Sequence, residues 1–515
     1  MERRKFIKNS IGASVTGSAV ISGLYMDKLF GNPMTDLSMI DLPSPNLTRL
    51  AVKPIMTNMY HTAEWEGPCR FNVVSMEEEK QRAQSAFREF SEGIANNVHD
   101  IDLSSVEMLN PDLVLFVEDF SLTEEHFRKI NTDARKADVL LVNPGGSSIA
   151  AWNIAERYQK PVVLAAGLSC RTVDVAAYCR SHGIEVFIPD PDLELKGILD
   201  LLRARKVFGT TKILYPTDWG WPSVASVSGI DEPEKLKDLY GIELVTISYE
   251  ELAGEMDRTL HDASKMAEAD KMADILYQHA DHAFLEKRYV SSSMVFYQAV
   301  INLMKQHDCN AFTIECFEFC TSRLPEKWTI TPCLIHTMFK DLGIPSACEG
   351  DLGGLLTMQM LMLVSKRSVH FGNMFYRENG TMEINHSVPG IKMNGFYEPG
   401  LPYQLGRFVE SGWGTKAVVD FMQNDVKEVT VARMNPQGTG LLVLKGKLTG
   451  SKGWGEDLRG CAVSAFIVGK DSGTAHAFMQ KQADYGNHLC MVYGDYTKHL
   501  LQLGKMLNMD VVIES

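Results

Sequence analysis

The chain has 515 residues, with 51 Lys or Arg against 65 Asp or Glu, and a formal net charge of -14 at pH 7. This length exceeds one ordinary hydrophobic core and predicts about three domains. Because no basic stripe follows the N-terminus, the acidic balance argues against nucleic acid or an anionic membrane as a partner and favours a small neutral substrate.

The N-terminus is predicted to be an export signal. Residues 1–8 are basic, and residues 11–26 form a weakly apolar run rich in Gly, Ser and Ala. The sequence from Arg3 to Lys8, RRKFIK, resembles a twin-arginine signal, which implies the twin-arginine translocon as a transient partner and a periplasmic or exported location. An uncleaved signal that keeps the protein at the membrane stays open, as does a chance basic end. Residues 1–47 are assigned to this signal and a linker.

The region from residue 48 to residue 300 is predicted to form two Rossmann-like domains, 48–170 and 171–300. Strand-like and helix-like runs alternate, which is typical of parallel sheets with crossover helices. A glycine-rich turn at 144–148 lacks the spacing of a nucleotide-binding motif, so an ordinary strand-to-helix turn is expected there. The predicted strands are 113–117, 139–142, 162–166, 185–188, 212–215 and 243–247, and the predicted helices are 123–133, 148–158, 193–204, 233–240, 263–280 and 291–306.

An apolar βαβ unit opens the predicted third domain, residues 301–515. One strand runs into Glu315 and Glu318, and the next runs into Glu349 and Asp351. Ligands of open parallel sheets bind beyond the carboxyl ends of the strands. The four carboxylates are therefore expected at one crevice.

From about residue 369, the sequence pattern of this domain changes. Short alternating runs separated by Gly and Pro turns predict a small antiparallel sheet or barrel. A closing helix at 498–507 and a strand at 510–513 follow. The overall fold class predicted is thus α/β, with two Rossmann-like parallel-sheet domains and a C-terminal α/β domain that contains a small antiparallel β-barrel.

The ten cysteines lack the paired spacings of a disulfide framework. A protein that folds in the cytosol before export can keep such thiols reduced until it leaves. Buried thiols in apolar runs usually only pack. A zinc site is the alternative interpretation. Its ligands would be Cys316, Cys320, Cys333 and Cys348.

Histidines near the acidic unit suggest a metal centre. His386 ends a strand, and His488 precedes an apolar strand, although a lone His on such a strand is often a satisfied core residue. Carboxylates with one or two imidazoles make an open site suited to Mn²⁺ or Mg²⁺. Such an ion polarises a carbonyl and its neighbouring hydroxyl and favours an enediolate, while a carboxylate moves the proton between adjacent carbons.

Several segments resemble the L-fucose/L-arabinose isomerase superfamily. They are residues 346–358 (SACEGDLGGLLTM), their approach from Phe312 to Pro332, and Asn487-His488 followed by Val492-Tyr493-Gly494-Asp495. The resemblance is closest in the C-terminal half. It implies two Rossmann-like domains followed by a domain with a β-barrel, a divalent metal that is commonly manganese, aldose–ketose isomerisation through an enediol, and a homo-oligomer.

The resemblance also implies roles for single residues. Asp351 and His488 match metal ligands, with Glu349 beside them. The position of the remaining carboxylate ligand, on the helix before the second strand, is occupied by residues 331–336 (TPCLIH). Glu315 and Glu318 are the candidates to replace it, and both are candidates for proton transfer along with Asp351.

Substrate contacts are expected from His386, Glu349 and Trp219. Trp219 lies in an aromatic turn, Asp218-Trp219-Gly220-Trp221-Pro222, whose rings either stack on a sugar face or only plug the fold.

A metal-dependent sugar isomerase is the leading functional prediction. A non-catalytic exported sugar-binding protein with the same fold is the second, and a hydrolase that uses paired carboxylates is the third. Under the leading prediction, activity rises above roughly pH 6 as His488 loses its proton.

Overall fold

The computed structural model describes residues 45, 48–60, 75–97, 105–117, 121–145, 148–377, 379–423, 425 and 427–514. The predicted export signal and linker lie outside these residues, apart from Pro45. Asn46–Val207 form one compact unit, and Phe208–Ser515 belong to a second one. None of the helices in the described part of the chain has both the length and the apolar character that a bilayer span requires.

A parallel sheet forms the centre of the unit at 46–207. Its order is β2-β1-β4-β5-β6, and β3 also pairs with β1. All of these pairings are parallel. Helices precede β2, β4, β5 and β6, because parallel neighbours need a crossover, whereas β3 follows β2 after three residues and pairs with a later part of β1. The strands are β1 (Leu50–Tyr60), β2 (Val106–Met108), β3 (Asp112–Val117), β4 (Val139–Gly145), β5 (Val162–Leu164) and β6 (Val186–Phe187), and the helices are α1 (Met76–Asn97), α2 (Glu124–Lys136), α3 (Ser148–Tyr158), α4 (Cys170–Ser181) and α5 (Leu195–Gly209).

A second parallel sheet follows in the unit at 208–515. Its four strands have the order β10-β9-β7-β8. The chain leaves β7 on one side to form β8 and returns on the other side to form β9, so the order reverses between β7 and β9. The strands are β7 (Lys212–Pro216), β8 (Glu243–Ile247), β9 (Ala311–Ile314) and β10 (Ser346–Cys348), and the helices are α6 (Lys235–Tyr240), α7 (Tyr249–His261), α8 (Ala263–His279), α9 (Lys287–Gln306), α10 (Cys316–Thr321), α11 (Leu324–Trp328), α12 (Cys333–Asp341) and α13 (Leu352–Ser365).

The remainder of this unit contains a closed antiparallel barrel. Six strands follow one another around it in the order β15-β18-β11-β12-β17-β16, and β16 pairs with β15 to close the ring. Strand β19 lies parallel to β16 outside the ring, and β13 and β14 form a separate ribbon. The strands are β11 (His370–Tyr376), β12 (Met382–His386), β13 (Tyr403–Arg407), β14 (Thr415–Val419), β15 (Glu428–Met434), β16 (Gly440–Lys452), β17 (Val463–Val468), β18 (Leu489–Tyr493) and β19 (Asp510–Glu514), and the helices are α14 (Ser472–Gln482) and α15 (Thr497–Met506).

Helix α13 joins the second sheet to the barrel. It contacts β10 on one side and β15 and β18 on the other. Nearly all of its residues are buried, which agrees with a sequence that is apolar around the whole helix rather than on one face. Since α13 starts directly after the second acidic strand end, it fixes that end against the barrel.

The prediction of an α/β fold with parallel sheets and an antiparallel barrel is confirmed. Strands β9 and β10, from the predicted third domain, belong to the same sheet as β7 and β8. The domain limits at 170 and 300 stay predictions. The predicted turn at 144–148 is only partly described, because residues 146 and 147 lie outside the described residues; α3 begins at Ser148.

Candidate functional site

The turn between β10 and α13 has an unusual backbone. Glu349 has φ 63° and Gly350 has φ 64°, so two consecutive residues lie in the left-handed region. That region is uncommon for a residue with a side chain, and such strain clusters at functional sites. A Cβ at Gly350 would lie 2.9 Å from the Tyr215 hydroxyl, and the Ser223 hydroxyl donates to the carbonyl of Glu349 at 2.6 Å. The surroundings therefore hold Glu349 in one orientation.

The carboxylate of Glu349 lies between two imidazoles. Its Oε1 is 3.1 Å from Nε2 of His386, and its Oε2 is 3.0 Å from Nε2 of His488. The Glu349 side chain is 13% exposed, whereas the two imidazoles are 1% and 0% exposed. His386 ends β12 and His488 immediately precedes β18, so both come from the barrel. The carboxylate is consequently the accessible member of a buried group.

The charges of this group stabilise one another. Burial alone would raise the pKa of Glu349, but the two imidazoles lower it to about 2. Burial disfavours imidazolium, yet Cys461 and Glu349 raise the pKa of His386 well above its usual value. The pKa of His488 is also raised, because Asp351 and Glu349 outweigh its burial. Without a bound cation, the positive charge of the protonated imidazoles compensates the negative charge of the carboxylates.

Asp351 contacts His488 at Nδ1, the ring nitrogen that does not face Glu349. Its Oδ1 accepts the Gly354 N–H at 2.9 Å and caps α13. Its Oδ2 accepts from Nη1 of Arg433 at 2.6 Å and lies 2.8 Å from Nδ1 of His488. The side chains of Asp351, Arg433 and His488 are 0% exposed. A Cβ at Gly354 would lie 2.4 Å from the ring of Phe371, so this packing requires glycine.

Arg433 is itself fully engaged. Its Nε donates to the carbonyl of Tyr485 at 3.0 Å, and its Nη2 donates to the carbonyl of Ser228 at 2.8 Å. The guanidinium and His488 together keep Asp351 ionised, because they lower its pKa against the effect of burial. Both oxygens of Asp351 thus have protein partners that fix the orientation of His488.

Glu315 is buried at the carboxyl end of β9. One of its oxygens caps α10 by accepting the Glu318 N–H. The other, Oε1, is buried and has no hydrogen-bond partner among the described residues. Burial raises the pKa of Glu315, and repulsion from Glu349 adds to this effect. Glu315 therefore carries a carboxyl group that is easily protonated and has one unsatisfied oxygen.

Glu318 has a different environment from Glu315. Its Oε2 accepts from the Thr217 hydroxyl at 2.8 Å, and its Oε1 accepts from the backbone N–H groups of Asp218 and Trp219 at 2.5 and 2.6 Å. The carboxylate thereby ties α10 to the loop after β7. The ring of Trp219 is 53% exposed beside this contact. Glu318 positions this loop.

The cysteines do not assemble the alternative zinc site. Sγ of Cys316 lies 2.8 Å from Sγ of Cys348, whereas the Cys333 thiol contacts the Ser387 hydroxyl and Cys320 is exposed. Among the residues that the structure describes, the one group with metal-binding spacing is Cys348, Glu349 and His386, whose ligand atoms lie within 4.8 Å of one another.

The structure brings four predicted site residues together: Asp351, His488, Glu349 and His386. Glu315 lies close enough to Glu349 for the charge of Glu349 to raise the pKa of Glu315. Glu318 accepts a hydrogen bond from the backbone of Trp219 in the loop after β7. The roles assigned to these residues stay predictions.

Sequence reasoning did not find Arg433. An available signal was a charged residue in the otherwise apolar run 429–434 (VTVARM) of β15, where a buried arginine needs a carboxylate partner. His370, at the start of β11, is fully buried, its Nε2 lies 3.0 Å from the carbonyl oxygen of Ile384, and burial lowers its pKa to about 3. It fits the ordinary role of a core residue.

Comparison with known proteins finds two similar isomerases. Over 185 residues the chain is 26% identical to the sulfoquinovose isomerase of Priestia aryabhattai and, by the same figures, to that of Priestia megaterium (strain ATCC 12872 / QMB1551). The match covers 35% of this chain and 40% of each relative, so it spans less than half of the length of those relatives. No protein-family model matches the chain.

Proposed function

We propose that this protein is a metal-dependent sugar isomerase that interconverts an aldose and a ketose through an enediol. The observation that carries the proposal is the partly exposed Glu349 carboxylate, whose two oxygens contact Nε2 of His386 and Nε2 of His488, respectively. The partial similarity to two sulfoquinovose isomerases supports the same class of reaction.

Three side chains are proposed as ligands of a divalent cation: Glu349, His386 and His488. Glu349 and His386 belong to the group with metal-binding spacing, and His488 contacts the second oxygen of Glu349. His488 Nε2 is buried without a well-aligned hydrogen bond, although Glu349 lies 3.0 Å away. Its Nδ1 is held by Asp351, an arrangement that typically orients a metal-binding imidazole. One carboxylate with two imidazoles suits Mn²⁺, and Mg²⁺ is the alternative. When bound, the cation would polarise the carbonyl and adjacent hydroxyl of the sugar.

The thiol of Cys348 is the remaining group near this set. A hydrogen bond with Cys316, together with burial, raises its pKa well above the usual value. A protonated thiol is a poor metal ligand, because the thiolate is the binding form. The set is therefore proposed to be one of oxygen and nitrogen atoms, and Zn²⁺ is less suited to it than Mn²⁺.

Glu315 is proposed to move the proton. Isomerisation removes a proton from one carbon and returns it to its neighbour, which requires a group that both accepts and donates near the working pH. Burial raises the pKa of Glu315 toward this range, and its Oε1 has no hydrogen-bond partner among the described residues, which favours Glu315 for the role. Asp351 and Arg433 act indirectly, by keeping His488 in its orientation and its charge balanced.

The substrate is proposed to be a sugar or sugar derivative that lies against aromatic rings. Trp219 and Phe317 are 53% and 60% exposed, and each adjoins Glu318, one through a hydrogen bond and one along the chain. Exposed aromatic faces stack on the C–H faces of sugars. We include sulfoquinovose among the substrates to be tested because it is the substrate named for the two relatives.

Export by the twin-arginine route and a homo-oligomeric state also belong to this proposal. The export route is predicted from residues 1–26, which lie outside the described part of the chain, and the oligomeric state is implied by the family resemblance.

The test measures bound metal and isomerase activity of the full-length protein in parallel. We expect about one Mn²⁺ per chain, loss of activity with EDTA, and recovery with Mn²⁺. Glu349→Gln should lose both metal and activity. Asp351→Asn keeps only one acceptor oxygen, which can cap α13 or accept from His488 but not both, so it should bind Mn²⁺ more weakly and still retain measurable binding.

Glu326→Gln is the matched control, because Glu326 is exposed and paired only with a surface arginine in this structure. Activity that EDTA leaves unchanged would contradict the proposal. Complete loss of Mn²⁺ in Asp351→Asn together with full binding in Glu349→Gln would instead return the ligand role to Asp351. Sugar binding without any turnover would favour the non-catalytic alternative.

A further inference from the structure

Two thiols meet in the wall of the site described above. Cys316 begins α10, directly after Glu315, and Cys348 ends β10, directly before Glu349. Strands β9 and β10 are paired neighbours, with Cys348 opposite Ile314. This register brings the first residue of α10 next to the last residue of β10, and the two Sγ atoms lie 2.8 Å apart.

The two thiols differ in their access to solvent. Cys348 is 1% exposed, whereas Cys316 is partly exposed. A reagent in solution therefore reaches Cys316 first, and Cys348 is the only described thiol whose sulfur is in contact with it. This combination of an accessible and a buried thiol in contact is what a dithiol pair requires for stepwise oxidation.

We propose that Cys316 and Cys348 form a reversible disulfide, so that this pair is a redox modification site. A disulfide bond is about 2.05 Å long, so the sulfurs need to approach by less than about 1 Å. Since both thiols end or begin elements of one sheet layer, this approach needs no refolding. The inference does not depend on the proposed isomerase activity.

The reaction balances with a low-molecular-weight disulfide, such as oxidised glutathione, as the oxidant. The Cys316 thiolate attacks one sulfur of the glutathione disulfide, and one glutathione leaves as thiolate. The Cys348 thiol then loses its proton as its sulfur attacks the Cys316 sulfur, and the second glutathione leaves as thiolate and takes up that proton. The two protons of the protein thiols end on the two glutathione molecules, and the protein is oxidised by two electrons.

The bond would also act on the neighbouring carboxylates. It would join the peptide next to Glu315 to the peptide next to Glu349. Glu349 contacts both imidazoles at about 3 Å from a strained backbone, so a displacement of even a few tenths of an ångström disturbs both contacts. We expect Mn²⁺ to bind about tenfold or more weakly to the oxidised protein. This consequence, unlike the disulfide itself, rests on the proposed metal site.

The test incubates the full-length reduced protein with oxidised glutathione, blocks the remaining thiols by alkylation, and maps the linked peptides by mass spectrometry. We expect a peptide pair joined through Cys316 and Cys348 that dithiothreitol separates. In Cys348→Ser, Cys316 should instead keep one glutathione. Cys170→Ser is the matched control, because Cys170 is an exposed thiol of the other compact unit, and this variant should oxidise like the natural chain.

Three results would overturn the inference: a Cys316–Cys320 link, glutathione adducts on exposed thiols with no internal link, or a Cys316 adduct that persists while Cys348 is present. The effect on metal is read separately, from Mn²⁺ affinity of the oxidised and reduced protein. Equal affinities would refute the coupling to Glu349. If the natural protein binds no Mn²⁺ in either state, the metal proposal fails while the disulfide result stands.

Discussion

Glu349 combines a left-handed backbone, a partly exposed carboxylate and two buried imidazole partners. A residue needed only for the turn would be better replaced by glycine, which adopts this conformation without strain. A carboxylate needed only for charge balance would not have to face solvent. The energetic cost of the left-handed backbone at Glu349 is explained if its carboxylate binds a ligand.

The same charges predict how pH affects the metal-free protein. The folded-state pKa of Glu349, about 2, lies below its usual 4.5, so its stabilisation is complete above pH 4.5 and is lost as pH falls through 2. The pKa values of His386 and His488 lie above 6.5, so their stabilisation is complete below pH 6.5 and is lost as pH rises through the raised values. The cluster should contribute most between pH 4.5 and 6.5.

Urea unfolding in EDTA across this pH range tests the expectation. The midpoint should fall on the alkaline side in the natural chain and change less in Glu349→Gln, which lacks the partner carboxylate. If, above pH 6.5, the urea midpoint of the natural chain rose relative to that of Glu349→Gln, the pH dependence of stability would be opposite to the expected one. Metal affinity should show the opposite trend and increase with pH, because the imidazoles must lose protons to bind an ion. The rise in activity, predicted from the sequence above roughly pH 6, is then expected at a higher pH, because the pKa of His488 is raised.

Replacing Arg433 tests how much its ion pair with Asp351 stabilises the folded protein. Arg433→Met leaves the buried carboxylate of Asp351 without its cation, and breaking such a pair typically costs about 3–5 kcal/mol in free energy of unfolding. The double variant Asp351→Asn/Arg433→Met removes both charges and should recover part of that loss. Urea titrations of the three proteins measure it. A double variant less stable than Arg433→Met would mean that the charge of Asp351 is not the source of the loss.

At the scale of elements, the short helix α10 connects the two parts of the site. Glu315 caps it, and Glu318 binds the loop after β7. The order of the sheet reverses between β7 and β9, and a crevice at the carboxyl ends of such strands is the usual binding position in open α/β sheets. The contact made by Glu318 spans this switch point and presents Trp219.

Glu318→Ala should therefore loosen the loop rather than abolish the chemistry. The N–H groups of Asp218 and Trp219 would lose their acceptor, so hydrogen exchange at these two residues should become faster. We also expect KM to rise more than kcat falls, because Trp219 contacts substrate in the proposal. Glu326→Ala is the control on α11. Slow exchange in the 217–219 loop of Glu318→Ala would contradict the positioning role.

At the scale of the whole molecule, the proposed ligands come from both the second sheet and the barrel. Glu349 follows β10, His386 ends β12 and His488 precedes β18, and all three belong to the unit that includes residues 208–515. A bound ion stabilises the folded state by about 2.7 kcal/mol at a hundredfold excess over its Kd. Only the unit that holds the ligands should gain this directly.

Hydrogen exchange with and without Mn²⁺ measures this distribution. Protection should increase in β10, β12 and β18 and stay unchanged in β4 and β5 of the other unit. Glu349→Gln should show no Mn²⁺-dependent protection. Equal protection of β4 and β10 would contradict the assignment of the site to residues 208–515.

Local periodicity and turn residues were enough to predict the alternation of elements, a small antiparallel sheet or barrel, and the two strands that end in carboxylates. The sequence did not mark the central strand β1, since Pro54 interrupts its run and cannot donate to a neighbouring strand. The different partners of each carboxylate could be known only from the tertiary structure. Glu349 faces two imidazoles, Asp351 is held by Arg433, and Glu318 binds a loop, because their partners, 37 to 139 residues distant along the chain, reach them only in the folded protein.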